Sequence, residues 1–532
     1  MRYTEPFDLD TDVVVAGGGL VGLAAAVFLA SHGVRTLVLE RNSRPSRHPR
    51  ARGINPRTME VFRQVGLSEL VRGTTSAQAL ADNAGIIVAE SLAGRQIAAL
   101  REPYFGDSDA DYSAISPAAW CMCHQDELEP LLCWKARQLG ADVRFGHEVT
   151  GFEQAPDGVR VLVRYGRLGQ RYQVGARYMI AADGADSTAR AELGIGMAGA
   201  QVLGHFINIS FDADLRDALG RRRFIMCYLT VEGVRCALLP VDNACRWMLH
   251  VACEPGEKLT PAQAAGLVRA AVGLPSLDVT IQSMLPWESA AAVAGRWRAD
   301  RVFLAGDAAH VMPPTGAFGS NTGIQDVHNL AWKLAMVLGD TAGAGLLDTY
   351  EAERRPVAER TVEQAVLRAR DRPRLAGEAA QPTASRAIQP DQVVIFGYRY
   401  ESAAIAGEQA AGNGADAWVR RFDYAPGTRA PHRALADGGT PSSTLDLFGR
   451  NLVLLVGDAD AGWYLAAAQV RELTGVCVVA RVDAAGALPA DAAALVRPDG
   501  FAVWRAMSLT ADPVRSLADA VRTALCLPGA RA

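Results

Sequence analysis

No CxxC pair occurs in this 532-residue chain, although it holds nine cysteines: Cys121, Cys123, Cys133, Cys227, Cys236, Cys245, Cys253, Cys477 and Cys526. None has metal-ligand spacing and the count is odd, so no metal site is expected, and reduced, mostly buried thiols are. A redox role for Cys121 and Cys123 is the alternative. Basic residues are not in excess: 54 Lys and Arg face 58 Asp and Glu, for a net charge of −4. Such a balance offers no field to a phosphate backbone, which argues against nucleic acid as a partner. Charge-free runs are also few. Residues 13–30 form one that touches the lower limit for a membrane span, but Gly17, Gly18, Gly19 and Gly22 break it. Asp8, Asp10 and Asp12 stand where a secretory leader would carry basic residues. The expected location is the cytoplasm, with no membrane partner.

What is present is an α/β pattern. Residues 11–16 (TDVVVA) read as a buried strand, 20–32 as a small-residue helix and 36–40 (TLVLE) as a second strand, the opening unit of a doubly wound parallel sheet. Residues 233–240 and 247–252 read as strands separated by turns, without helical alternation. Residues 301–307 form another buried strand and 324–338 an amphipathic helix, so the chain returns to its first domain after an insertion. Strands at 451–456, 476–482 and 501–505, with helices near 461–473 and 513–526, give a small third domain. The expected fold is thus α/β plus α+β. A Rossmann-like domain (1–79, 101–201 and 291–390) is interrupted by a sheet domain (80–100 and 202–290). A connector (391–424) and the third domain (425–532) follow.

Gly17, Gly19 and Gly22 satisfy GxGxxG between a strand and a helix, and Glu40 ends the next strand. The glycines allow the tight turn, the approach to a diphosphate and close helix–strand packing; the acid can hold ribose hydroxyls. Gly194, Gly196 and Gly199 match the same pattern after a helical run, and read as a turn. Only one dinucleotide fold is evident, which argues against a disulfide reductase.

Two further motifs carry the reading on. Residues 183–190 read DGADSTAR, and residues 306–326 read GDAAHVMPPTGAFGSNTGIQD. With GxGxxG they closely resemble the three fingerprints of the para-hydroxybenzoate hydroxylase family of flavoprotein aromatic hydroxylases. Residues 425–432 (APGTRAPH), 443–449 (STLDLFG) and 496–505 (VRPDGFAVWR) resemble the thioredoxin-like tail of aromatic polyketide and phenol hydroxylases, here without CxxC. NPRTMEVFRQVGL, QDELEPLL and GLLDTYEAERRPVAE look much like the anthracycline-type, aklavinone hydroxylase-like members of antibiotic biosynthesis.

The resemblance implies noncovalent FAD, with NADPH or NADH as reductant, O2 as cosubstrate and a small aromatic substrate. It implies that Glu40 binds the adenosine ribose, Arg50 lies near the pyrophosphate, and Gln125 and Asp307 serve the ribityl chain. Backbone around Gly316, Gly319, Ser320 and Asn321 should face the flavin ring, with the Pro314 carbonyl near the oxygen site. Leu20, Val21, Arg41, Val149, Asp183, Gly184 and Gly306 complete the implied cofactor set. Alternatives stand beside these roles: Asp307 as a helix cap, Asp183 as a turn residue, Arg50 as a solvated loop charge. His310 reads as a packed histidine rather than a base. Met226, Tyr228, Trp287 and Phe318 are candidate substrate contacts and equally good core residues. The implied reaction is ring hydroxylation through a flavin C4a-hydroperoxide. Baeyer–Villiger or epoxidising chemistry on the same fold, and a non-catalytic flavin or polyketide binder, are the rivals.

Overall fold

The computed structural model describes residues 9–100, 112–231, 234–375, 387–406, 418–435, 442–457, 461–483 and 486–528. β1 (Leu9–Ala16) is valine-rich, and Val13, Val14 and Val15 are fully buried, as a strand covered on both faces requires. α1 (Leu20–Ser31) is apolar on every side and almost wholly buried, a core helix rather than a surface one. β2 (Thr36–Glu40) returns parallel to β1. α2 (Pro56–Gln64) starts at Asn55, whose side chain accepts from Thr58 N–H. After α3 (Gln125–Gln138) come β3 (Asp142–Phe145) and β4 (Gln170–Ala181).

The middle of the chain supplies β5 (Met197–Asp212), β6 (Met226–Val231), β7 (Val234–Pro240), β8 (Arg246–Cys253), α4 (Pro261–Val272) and β9 (Thr280–Ala294). The chain then forms β10 (Val302–Leu304), α5 (Phe318–Leu338), α6 (Thr349–Leu375) and α7 (Asp391–Phe396). Its last part holds β11 (Leu452–Val456), α8 (Ala461–Thr474), β12 (Val478–Val482), β13 (Ala493–Val496), β14 (Ala502–Ala506) and α9 (Pro513–Ala524).

Among the described residues three sheets of four or more strands result, beside two small two-stranded ones. In the first, β10, β4, β1, β2 and β3 lie side by side and parallel. The second runs from His310–Val311 through β9, β5, β8, β7 and β6 to Ile86–Ala89 and Gln96–Leu100. Strictly alternating residues on this sheet divide its two faces. Ile207, Ile209, Phe211, Trp247, Leu249 and Val251 point to the side that α4 covers and are buried there. Phe206, Asn208, His250 and Trp287 belong to the opposite face. The third sheet has the order β12-β11-β13-β14.

The interrupted nucleotide fold and the small tail therefore stand as expected. Two readings change. The stretch read as a connector is packed: Val394, Ile395, Phe396, Tyr398 and Tyr400 are all buried, because VVIFGYRY is too apolar to run in water. β13 was not foreseen, since its AALV sequence has little β-branching to mark a strand.

Candidate functional site

A cleft of about 540 Å3 opens at the carboxyl ends of β1, β2 and β4. Gly17, Gly19, Glu40, Arg41, Arg50, Gln125, Val149, Asp183 and Gly184 all line it. Glycine shapes it by necessity. Gly17 has φ +102°, and a Cβ there would lie 2.3 Å from the Ala182 carbonyl oxygen; a Cβ on Gly22 would lie 1.9 Å from the Gly17 oxygen. Gly18, the unassigned middle of the triplet, is equally constrained. Its N–H donates to Glu40 Oε2 at 2.6 Å, and a Cβ would meet Glu40 Cβ at 2.7 Å. Glu40 Oε1 accepts from Asn42 N at 2.8 Å, so the carboxylate is fixed before any hydroxyl arrives.

Glu129 was missed. It lines the cleft, takes the Ser46 N–H at 2.7 Å and the Gln125 side-chain amide at 2.6 Å, and desolvation raises its pKa. Its signal was the second Glu of QDELEP, one helical turn after Gln125. Asp183 accepts from Ala189 N at 3.1 Å through Oδ2, beside the short helix that Ser187 caps, and its buried Oδ1 has no partner among the described residues.

Leu20, Val21 and Gly22 sit in the first turn of α1. Val21 fills the space that side chains on Gly306 and Gly323 would need, their Cβ atoms falling 2.7 and 2.6 Å from Val21 Cγ2. The turn at Gly306–Ala308 is thereby pressed onto α1. Asp307 is crowded by protein, so desolvation raises its pKa against the pull of His310 and Arg50, yet its side chain stays open to solvent. Glu40, only 8% exposed, is the covered carboxylate of the two. His310 is fully buried and bonded through Nε2 to Asp326 Oδ2 at 2.8 Å, the packed role assigned to it. Burial opposes the charge on Asp326, but His310 and Arg354 outweigh it and hold the carboxyl below its usual range.

Pro314, Gly316, Gly319 and Ser320 lead into α5, whose first N–H groups carry a partial positive charge. The Asn321 side chain is spent on backbone, donating to Gly53 O at 2.8 Å and accepting from Asn55 N at 3.0 Å.

Met226 and Tyr228 are half-buried beside Ala237, Leu239 and Met248 on the sheet face opposite α4. Trp287 shares that face, stacked on Phe206 with centroids 4.9 Å apart. Phe318 is elsewhere. It is 2% exposed in a cluster with Tyr112 and Phe396, under the Arg368 guanidinium, because the first turn of α5 directs it inward below Gly316. The loop before α2 joins cleft and sheet. Arg50 lines the cleft, while His48 Nδ1 meets Ser283 Oγ at 2.8 Å and Arg52 donates to the carbonyls of Pro240 and Ile225. Arg52 makes no ion pair among the described residues, and burial lowers its pKa to about 9.

Residues 10–365 match the model of the FAD binding domain, and residues 423–528 match that of the aromatic-ring hydroxylase C-terminal domain. The chain belongs to the FAD-dependent aromatic-ring hydroxylases. It is 40% identical to 4-methyl-5-nitrocatechol 5-monooxygenase of Burkholderia sp. over 98% of each chain. It is 38% identical to tetracenomycin A2 monooxygenase-dioxygenase of Streptomyces glaucescens over 97% of each. The crystal structure of aklavinone-11 hydroxylase with FAD and aklavinone superposes with a TM-score of 0.87 at 36% identity, covering 98% of this chain and 99% of that one. Among the described residues no helix is long and apolar enough to cross a membrane, and no group of three or more His, Cys, Asp or Glu is placed to hold a metal ion.

In this hydroxylase the motifs that marked the subfamily form a second charged site, buried under the tail. Glu353 of TYEAERR accepts from Lys333 at 2.8 Å and from Arg497 of VRPDG at 2.6 Å. Asp499 pairs with Arg497 at 2.7 Å, and its carbonyl takes Arg57 of NPRTME at 2.7 Å. Glu60 binds Arg57 at 2.9 Å and also Arg429 of APGTRAPH. All of these side chains are buried. Around them an apolar cluster continues from the nucleotide fold into α8 and α9. The Cys121 and Cys123 thiols are pushed up by burial to about 11 and about 12, which removes the thiolate a redox role would need.

Proposed function

We propose that this FAD enzyme is a single-component monooxygenase that hydroxylates a phenolic, polyketide-derived ring with O2 and NADPH or NADH. The observation that carries the reading is the loop at residues 48–52, with Arg50 on the nucleotide cleft, His48 bonded to Ser283 of β9 and Arg52 to main-chain carbonyls at the ends of β6 and β7. Residues 1–79, 101–201 and 291–390 serve the cofactor, and 80–100 with 202–290 serve the substrate.

The cleft residues fit FAD. The glycine turn leaves room for a diphosphate, Arg41 and Arg50 supply counter-charge, and Glu40 is already set to accept from ribose hydroxyls. Gln125 and Asp307 would hold the ribityl hydroxyls, Val149 and the Asp183–Gly184 turn would wall the cofactor, and the N–H groups at the N-terminus of α5 would favour negative charge on a bound flavin. When bound, the flavin supplies reduced and then oxygen-activating chemistry. The chain's own task is to orient the substrate ring on the sheet face, with the Pro314 carbonyl nearby, and to keep water out.

The test is turnover of the FAD-loaded enzyme with a panel of phenolic polyketides under labelled oxygen. One labelled atom on a ring carbon, with matched NADPH or NADH oxidation, is the expected product. A ring-expanded lactone or an epoxide would reassign the chemistry to a Baeyer–Villiger enzyme or an epoxidase. A lack of substrate-dependent cofactor oxidation would leave a non-catalytic binder.

A further inference from the structure

Asn208 stands in the middle of the open sheet face, between His250 on β8 and Leu285 on β9. Its surroundings on the covered face are apolar, since Ile207 and Ile209 on either side belong to the core under α4. An amide here needs a reason, because a buried polar group without partners costs more than an apolar one of equal size. Half of the reason is visible. Trp287 Nε1–H donates to Asn208 Oδ1 at 2.6 Å. An indole N–H can only donate, so the bond fixes the amide orientation: oxygen toward Trp287, NH2 away from it.

Trp287 is itself held. It stacks on Phe206 with an interplanar angle of 19°, and His250 meets it edge-on at 6.1 Å. Gly204 makes the stack possible, since a Cβ there would lie 3.1 Å from the Phe206 ring. Register shifts on β5 fall on both sides of this segment, between Val202 and Gly204 and between Ser210 and Phe211. Bulges of this kind re-aim side chains and are common beside functional sites. Asn208 is 7% exposed, yet its NH2 makes no hydrogen bond among the described residues and is not sealed from solvent.

We infer that Asn208, locked by Trp287, is a specificity-determining donor for a quinone-type ring carbonyl of a planar polycyclic substrate. This rests on the proposal that the open sheet face receives the substrate. A neutral donor with its acceptor oxygen already used favours a strong acceptor such as a conjugated ring carbonyl, and the adjoining stacked pair of Phe206 and Trp287 suits a flat ring system.

The experiment titrates the FAD-loaded enzyme, by flavin absorbance, with a dihydroxyanthraquinone and with the dihydroxyanthracene carrying the same hydroxyls. The readout is the affinity ratio of the two. The wild type should favour the quinone by about tenfold, the scale of one hydrogen bond to an otherwise unpaired buried donor. Asn208→Ala should bring the ratio close to one. Trp287→Phe, which keeps a ring on Phe206 but frees the amide, should lower it part-way, and the double variant should match Asn208→Ala. If Asn208→Ala loses FAD, Asn208→Ser and Trp287→Phe carry the same ratio test. An unchanged ratio in the variants, or equal wild-type affinity for both probes, overturns the inference while leaving ring hydroxylation intact. Failure of the wild type to bind either probe overturns the substrate reading beneath it.

Discussion

The nucleotide cleft and the seam under the tail both gather charge, and they treat it in opposite ways. In the cleft Arg41 and Arg50 remain in contact with solvent, and glycine keeps the walls apart. In the seam Lys333, Glu353, Arg497 and Asp499 are dry and spend their hydrogen bonds on one another. The cleft leaves its arginines solvated, whereas the seam pairs its cations off with carboxylates. A buried pair is a poor source of net stability but a strict one, because losing either partner strands the other without solvent.

The largest expected effect follows from that strictness. Glu353→Leu should leave Lys333 unopposed and strip Arg497 of one of its two carboxylate partners, at about 3–5 kcal/mol for a broken buried pair. Soluble yield and apparent melting temperature should collapse together. Deletion of residues 425–532 should be as damaging, since it removes Arg429, Arg497 and the apolar cover of α9 at once. A soluble, FAD-loaded truncation would show the seam to be dispensable. In the cleft, Gly22→Ala places a methyl 1.9 Å from the Gly17 carbonyl oxygen. FAD content should fall to near zero, read as flavin released on acid precipitation per mole of chain, because the turn cannot close. Retained flavin would mean that α1 can shift away from β1.

A smaller contrast separates the two carboxylates. Glu40→Ala should lower both FAD affinity and the melting point of the FAD-free protein, since Gly18 and Asn42 lose their acceptor. Asp307→Ala should cost about 1–3 kcal/mol of FAD affinity and leave the melting point of the FAD-free protein alone. Equal melting effects would erase the distinction between a preset and an open acid. The smallest effect belongs to Cys477 and Cys526, free thiols that are exposed and half-buried. Replacing both by Ser should change hydroxylation rates by less than the scatter of the assay, and a clear loss with the fold retained would restore a redox role to the tail.

The sequence made the cleft legible because local rules govern it. GxGxxG and the acid ending β2 each act over a few residues, and both line the cleft, whereas the GD turn is pressed onto α1 outside that lining. The seam was written in plain view as Arg57, Glu60, Glu353, Arg429, Arg497 and Asp499, but its partners lie up to hundreds of positions apart. A charged residue on a helix or in a PDG turn is indistinguishable, from sequence, from one in water. Asn208 was hidden for a similar reason: within β5 its INIS context reads as ordinary alternation, and only the cross-strand neighbour Trp287 reveals its orientation. For Phe318 the two readings stayed level, because helix phase, not residue type, decides which way the first turn of α5 points.

The loop that carries His48, Arg50 and Arg52 has a thermodynamic consequence. Its residues address two different ligand regions within five positions, and Arg52 holds its place through neutral carbonyls alone, with no fixed countercharge to anchor it. Any bias that occupancy of one region imposes on this loop is felt at the other, and such coupling is reciprocal. Whatever factor FAD contributes to the affinity for substrate, substrate must return to the affinity for FAD, so the two measured ratios close a cycle.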